Sequence, residues 1–522
     1  MGSTLRRLVR AGMRREASFA AAEQSRLFAD WNGYILSAVQ ELRYELRTLR
    51  GRSRALARNN PHARRFVNAL TTNVVGPKGI RLQPTNLGRD GKRDRVANFY
   101  VQTAWQTWGH RGTCTVDKRL SWNDVERLVL ATIAVDGEAL VYEVPYADNP
   151  FGYALQLIDA DLLDESYNAA AGPNGNPIRM GIELDRATQA PVAYHLWSRH
   201  PQDNESGVSL ERKRYGADVL HHLFVPWRIG QLRGIPWMAP AMKGLQHLGG
   251  YVDAEVIAAR TASAKMGFIL QNAGEGASGP DPDAIEEEEQ EAPYLEAAPG
   301  IIDRLGPGET FANWDPTHPT SQVQAFMNAM LHFIAAGVNV SAMTLSGDVS
   351  QANYSSLREG KNTERDAWEM LQTWYTGELH EPVFSQWLPI ARAMGAIPLR
   401  GPAAAFAAHR WQPRGWRWVD PLKDVQASER ELALRLTTRT RLAAERGDDF
   451  EEILTEWKDE QDLAAELGVS LPEPQNTPIA AGTYDGTDNG TTPSGSAGSP
   501  NASDSAATGG GRARLVALRH AR

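Results

Sequence analysis

The stretch from Pro236 to Met266 constrains the fold more than any other part of the chain. Its apolar or small positions are Met238, Met242, Leu245, Gly249, Val252, Val256, Ala259, Ser263 and Met266. The steps alternate four and three, which is the seam of a heptad helix. At 1.5 Å per residue such a helix spans roughly 40 Å. Small residues in the seam let neighbours approach closely, which suits packing around a shared axis.

A second helix is read over Ser321–Ala336. Between the two, Gln271–Gln290 is rich in Gly, Asp and Glu, lacks periodicity and carries the acidic run Glu286, Glu287, Glu288 and Glu289. Strand-like pieces follow at Gly300–Arg304 and Glu309–Phe311. A Ser/Gly/Asn loop is read over Val338–Asn353, then a helix from Tyr354 to about Leu379. A last helical region spans Val425–Leu467, with a helix pair around Gly447. From Pro472 to Gly511 the Gly/Ser/Thr/Asn composition predicts disorder, before a short basic terminus.

Upstream, residues 1–58 read as arginine-rich helix. Asn60-Pro61 is a helix start, with Asn as N-cap and Pro in the first turn. That helix runs through Arg64, Phe66, Val67 and Leu70 and ends at Gly76. From Gly79 to Val225 the reading is mixed. Trp122–Val135 is a helix capped by Ser121. Ala139–Val144 and Tyr153–Ile158 are strands, Ile178–Leu184 and Val192–Trp197 are a hairpin-like pair, and Asp218–Val225 is another strand.

Composition narrows the chemistry. A chain of 522 residues with 42% hydrophobic content exceeds one ordinary core, so several domains or one elaborate subunit are expected. A net charge of −8 does not suit a protein that grips DNA, because neutralising phosphates takes lysine and arginine. A weak sliding contact fits the charge better. Fifteen tryptophans indicate large buried contacts or interfaces. The single cysteine, Cys114, excludes an intramolecular disulfide framework, fits a reducing cytoplasm and is read as structural.

No apolar run reaches the ~20 residues of a membrane helix. The N-terminus has no long apolar core to make it a secretory signal, and Arg6 breaks the myristoylation pattern.

Enzyme signatures fail on inspection. Gly360-Lys361 is followed by Asn362, with Ser355 where a phosphate-binding loop needs glycine. His380-Glu381 runs into Pro382 and lacks the second histidine of a zinc protease. Asp159, Asp161 and Asp164 could hold a divalent metal through oxygen ligands, as nuclease sites do, or could be an aspartate-rich strand end and turn. His221 and His222 are adjacent on a strand, point to opposite faces and would not chelate one ion easily. Asp136-Gly137-Glu138 reads as a turn between helix and strand, with glycine supplying the backbone angle.

Taken in order, several weak segments resemble one family. Asn59-Asn60-Pro61 with Asn73-Val74-Val75-Gly76, Gly79-Ile80 and Gln83 form the first. Asp136-Gly137-Glu138 is the next. Arg228, Gly230, Gln231, Arg233, Gly234 and Pro236 precede the long helix, and Tyr251, Asp253 and Glu255 lie within it. Gly347-Asp348, Tyr354-Ser355-Ser356 and Arg358 complete the set. The ordered set is similar to the lambda-type portal proteins of tailed bacteriophages over about residues 35–470, and is least family-like over 271–298.

That resemblance implies an α+β portal fold: an α/β wing, a two-helix stem, a small α/β clip insertion, a tunnel loop and a helical crown, assembled as a ring, usually of twelve subunits. It implies an N-terminal arm at 1–29, wing at 30–236, stem helices at 237–266 and 321–337, and clip at 267–320. The tunnel loop falls at 338–353, further wing and a long helix at 354–419, crown at 420–470 and tail at 471–522. The implied role is conduction of double-stranded DNA at one capsid vertex, without covalent chemistry and without a cofactor. Implied partners are the terminase large subunit, major capsid and scaffold proteins, and head-completion or tail adaptor proteins, with no membrane; the setting is the virion, assembled in the host bacterial cytoplasm.

On this reading Ser346, Gly347, Asp348, Ser350, Gln351 and Asn353 form the tunnel loop. Its stretch from Ser346 to Asn353 has no lysine or arginine, so it could touch DNA without holding it. Lys243, Arg260 and Lys265 would line the channel or pair between subunits. Glu286 to Glu289 would dock a basic partner or form a solvated acidic loop. The competing readings are a metal-dependent nuclease using Asp159, Asp161 and Asp164, and a non-ring capsid or adaptor protein.

Overall fold

The computed structural model describes residues 35–203, 209–263, 267–271, 309–313, 322–350, 354–416 and 421–471. The arginine-rich start is two helices rather than one: α1 (Ala38–Leu42) and α2 (Leu46–Asn59) are separated at 43–45. Helix α3 (Pro61–Val74) begins where the sequence places it. The Asn60 side-chain oxygen accepts the N–H groups of His62 and Ala63 at 3.0 and 3.1 Å, which satisfies two otherwise orphaned donors. The chain leaves α3 through Gly76 at φ +79°.

Strand β1 (Arg81–Pro84) pairs antiparallel with the distant β11 (His409–Gln412). Next come α4 (Arg95–Trp108), capped by Asp94, and α5 (Trp122–Asp136). A reciprocal capping box between Ser121 and Asp124 opens α5. Two antiparallel sheets follow. In the first, β2 (Ala139–Pro145) lies between β3 (Tyr153–Ile158) and β8 (Leu220–Leu223). The second runs in order β4 (Ile178–Arg179), β5 (Ile182–Leu184), β6 (Pro191–Trp197) and β7 (Arg212–Gly216). They share a small core of Leu140, Leu163, Ile182, Tyr194, Leu196 and Leu220.

The long helix begins with a 3-10 turn, Ala239–Ala241, and continues as α6 (Met242–Ser263). Strands β9 (Gly267–Gln271) and β10 (Glu309–Asn313) pair antiparallel and bring together the two ends of the segment between them. The expected strand at Gly300–Arg304 lies outside the described residues. Helix α7 (Val323–Gly337) matches the second expected helix. The expected loop after it contains a short helix, α8 (Ala342–Ser346), because Ser341 caps it and Gly347 ends it at φ +80°. Helix α9 (Tyr354–Tyr375) stops as an α-helix earlier than its sequence suggests and passes through a π turn, Thr376–His380, into α10 (Glu381–Ala393). Pro382 cannot donate the next helical hydrogen bond, and the wider turn carries His380 inward, with its Nε2 2.6 Å from the Glu126 carboxylate. Three helices close the described chain: α11 (Pro421–Ala433), α12 (Arg439–Glu445) and α13 (Phe450–Leu467). Gly447, at φ +81°, turns the chain between the last two.

By its contacts the chain forms two units, 1–456 and 457–522; the described part of the second is the C-terminal portion of α13 and residues 468–471. No helix among the described residues is long and apolar enough to cross a membrane.

A cluster of tryptophans sits within the main core. Trp105 meets Trp108, Trp387, Trp122, Phe384 and Trp411 at ring-centroid distances of 4.8, 5.0, 5.5, 5.6 and 5.8 Å. One side chain thus joins α4, α5, α10 and β11, mostly edge to face, the geometry favoured by ring quadrupoles. Trp105→Ala should lower stability by about 3–5 kcal/mol. Chemical denaturation followed by tryptophan fluorescence checks this, and a loss under about 1 kcal/mol would contradict a central role.

Candidate functional site

At the junction of α5 and β2, Glu138 has no solvent exposure. An ionised carboxylate is tolerable there only if donors surround it. Its oxygens accept from Arg233 Nε at 2.8 Å and Nη2 at 2.5 Å, Arg50 Nη2 at 2.8 Å and the Gly234 N–H at 2.7 Å, and lie 2.9 Å from His222 Nε2. Burial alone would raise its pKa, but the charges of Arg233, His222 and Arg50 hold it well below the usual carboxylate range. The glycines of this motif are steric necessities. Gly137 sits at φ +91°, and a Cβ on Gly234 would collide with the Gly137 carbonyl.

The network continues outward. Arg50 also donates to Asp161 at 2.7 Å, and Arg54 reaches Asp136, Asp161 and Asp159 at 2.7, 2.5 and 3.0 Å. Asp159, Asp161 and His200 are close enough to share an ion, but the two arginines already occupy the space and charge that a cation would take. Burial raises the Asp161 pKa, and the hydrogen bond and charge of Arg50, with Arg54, more than reverse this to about 2. Asp164 points elsewhere, to Ser166 and Arg212 at 2.5 and 2.6 Å. The three aspartates therefore do not converge on one point: Asp159 and Asp161 face Arg54, and Asp164 faces Arg212. The histidines face opposite ways as expected, His221 to Glu143 at 2.7 Å and His222 to Glu138. Cys114 is buried, its thiol pushed up to about 12 by desolvation, which supports the structural reading.

Helices α6 and α7 lie side by side. Gly244 makes room for Ile334, and Tyr251 meets Phe326 at 4.8 Å. Met238, Met242 and Leu245 of the seam are buried, whereas Val256 is 44% exposed and the next residue, Ile257, 61%; on α7, Phe333, which lies beside Gly244, is 65% exposed. The seam therefore starts inside this chain's core and emerges from it. Lys243 and Arg260 are both exposed, and helix geometry places them roughly 100° apart around the axis. Lys265 and the run Glu286 to Glu289 lie outside the described residues.

The root of the Ser/Gly/Asn loop is fixed from two sides. From α9, Glu364 accepts the Ser341 N–H at 2.6 Å and the Thr344 hydroxyl at 2.8 Å. From α3, Arg65 donates to the Thr344 carbonyl at 2.6 Å. Ser346 closes α8, Gly347 takes the left-handed conformation, and Asp348 accepts the Ser350 N–H at 2.8 Å. Gln351 and Asn353 lie outside the described residues. The loop has no lysine or arginine of its own, yet the fold brings the exposed Arg65 guanidinium against Gly347. Sequence reasoning missed Arg50, Arg54, Arg65, Arg233 and Glu364 as partners. The available signal was that buried carboxylates need countercharges.

The lambda-family phage portal protein pattern matches residues 24–372, and the chain belongs to that family. A role in DNA packaging at the head–tail connector follows from this membership, as does a structural, non-enzymatic function. Among similar proteins, the probable portal protein of Halomonas phage phiHAP-1 is 32% identical over 461 residues, covering 87% of this chain and 88% of that one. Portal protein B of Escherichia phage lambda is 23% identical, covering 78% and 82% of the two chains. A chain from the neck of an empty gene transfer agent (GTA) particle has a TM-score of 0.41 at 15% identity, covering 78% of this chain and 94% of that one.

Glu138→Gln should destabilise the protein by about 3–5 kcal/mol, because the arginines are left buried without their anion. The wild-type carboxylate contributes stability that is present above its unfolded pKa of about 4.3 and is lost as pH falls through its depressed folded value. The variant should therefore lose less stability on acidification, and unfolding curves recorded from pH 5 to pH 2 test the sign. Plasmid incubated with magnesium should remain intact, and Asp161→Asn should lower the melting temperature without altering any cleavage. Cleavage that disappears in this variant would restore the nuclease reading.

Proposed function

We propose that the chain assembles as a closed ring of twelve subunits at one capsid vertex and conducts double-stranded DNA through its axis. The supporting observation is the graded exposure of the helix pair. The heptad seam is buried at Met242 and Leu245 but emerges by Val256, and exposed Ile257, Phe326 and Phe333 leave more apolar surface on the pair. Large exposed apolar side chains on both helices supply surface for an interface, and copies arranged about an axis would cover it.

In this assembly α6 and α7 form the stem, 267–320 the clip and 338–353 the tunnel loop. Residues 30–236 and 354–419 form the wing, and 420–470 the crown facing packaged DNA. Residues 1–29 and 471–522 are terminal arms. Ser346, Gly347, Asp348, Ser350, Gln351 and Asn353 face DNA on a base clamped by Glu364 and Arg65. Lys243, Arg260 and Lys265 line the channel or pair between neighbours. Glu286 to Glu289 dock a basic partner. The terminase large subunit binds during filling, head-completion and tail adaptor proteins bind afterwards, and major capsid and scaffold proteins surround the ring. Assembly takes place in the host bacterial cytoplasm.

Electron microscopy of the purified chain should show rings with an axial hole. Phe333→Asp should abolish or disorder the rings while leaving the circular dichroism spectrum unchanged, since Phe333 is largely exposed within one chain. A chain that stays monomeric with scaffold and capsid protein present would overturn the ring and favour a non-ring adaptor.

A further inference from the structure

The loop 226–230, between β8 and the long helix, holds large apolar side chains in water. Ile229 is fully exposed and Trp227 is 50% exposed. Single apolar residues on a surface are ordinary, but this loop is built rigidly. The buried Gln231 side chain accepts the N–H groups of Trp227 and Arg228 at 2.8 and 3.2 Å and donates to the Arg233 carbonyl at 2.8 Å. Gly230 takes the left-handed conformation at φ +78°. Arg228 ties the loop back to the start of the described chain, through the Leu36 carbonyl at 3.1 Å and an ion pair with Glu41. The loop is therefore ordered on folding, and ordering it adds little cost when another surface covers it.

A depression of matching character lies elsewhere on the same chain. Between α4, the β2–β3 turn and the residues after α10 is an open groove of about 410 Å³. Tyr100, Ala104, Phe151 and Met394 supply apolar walls, Thr103 and Thr107 supply one edge, and no described lining residue is charged. One wall is held firmly: Asn149 donates to the Thr113 and Tyr153 carbonyls at 3.2 and 2.9 Å and accepts the Phe151 N–H at 2.9 Å. A cavity of about 150 Å³ already holds a benzene ring, so this groove has room for a large aliphatic side chain.

We infer that Ile229, with Trp227 beside it in the loop, is a knob that seats in this groove on a second copy of the chain. Three observations select a second copy. Arg228 is paired with Glu41 of its own chain and the groove is uncharged, so the two surfaces suit each other and neither favours an acidic or basic partner. Within one chain Ile229 stands in water, so the knob does not fill its own groove. Knob and groove come from different parts of the chain, which makes the contact head-to-tail, the kind that closes a ring when the rotation permits. The loop also leads directly into the long helix, whose apolar seam emerges from the core further along. The inference rests on the ring proposed above and adds which parts of adjacent copies meet.

The test places one cysteine in the knob and one in the groove of the full chain, Ile229→Cys with Thr103→Cys, and adds a short bis-maleimide. Both positions are exposed, so the variant stays folded, and Cys114 is buried, with the unsubstituted chain as its control. Each copy then offers both thiols, and head-to-tail contacts should give a ladder of covalent multimers longer than dimers on a denaturing gel. Electron microscopy of the same sample reports the ring separately. Rings with the ladder are expected. Rings without it overturn this contact and leave the ring standing, whereas the absence of both overturns the two together. A ladder from open filaments upholds the contact and rejects closure. Ile229→Asp should raise the concentration needed for assembly about tenfold or more, because the burial of one aliphatic side chain is lost; assembly at the wild-type concentration would also overturn the contact.

Discussion

The rest of the structure depends on one carboxylate that has no access to water. Glu138 draws Arg50 from α2, His222 from β8, and Arg233 and the Gly234 N–H from the segment leading into α6. Each donor comes from a part of the chain distant in sequence. Meeting at one point fixes where α6 begins and how the sheet sits against the helices. Such a cluster adds little net stability over an apolar replacement of the same shape, since desolvation offsets most of the attraction. Its effect is geometric, because few other arrangements of these segments satisfy every charge.

The helices and strands that the sequence announces are those with local punctuation. Asn60-Pro61 starts α3, Ser121 starts α5 and Gly447 ends α12, each by a chemistry confined to a few residues. Helix α4 was missed although Asp94 caps it, because its apolar residues Trp105 and Trp108 are explained by a core assembled from distant segments. Strands β1 and β11 stand more than 300 residues apart, and no local pattern reveals such a pairing. The aspartates of 159–164 were legible as a cluster, but their meaning was set by Arg50 and Arg54. A spacing rule finds carboxylates and says nothing of which cations fold against them. The loop base was similarly half legible: Ser341 and Gly347 lie within it, while Glu364 and Arg65 arrive from elsewhere.

The loop base lines a cavity between the end of α3, β1, α9, β11 and the turn after α12. Glu364 and Thr344 line the cavity and also hold α8 in place. A change in charge within the cavity therefore acts next to the contacts that position the loop, with no intervening layer of side chains.

The emergence of the α6 seam from the core also bears on the free energy of the isolated chain. Ile257 and Phe333 are more than half exposed in one copy, and that exposed part gains the hydrophobic transfer term only when another surface covers it. Whatever covers them binds the folded form alone and so shifts the folding equilibrium by mass action. In the proposed ring the covering surface is another copy, so the melting temperature would rise with the protein's own concentration, and a value measured in dilute solution would describe a different thermodynamic state from that of the concentrated chain.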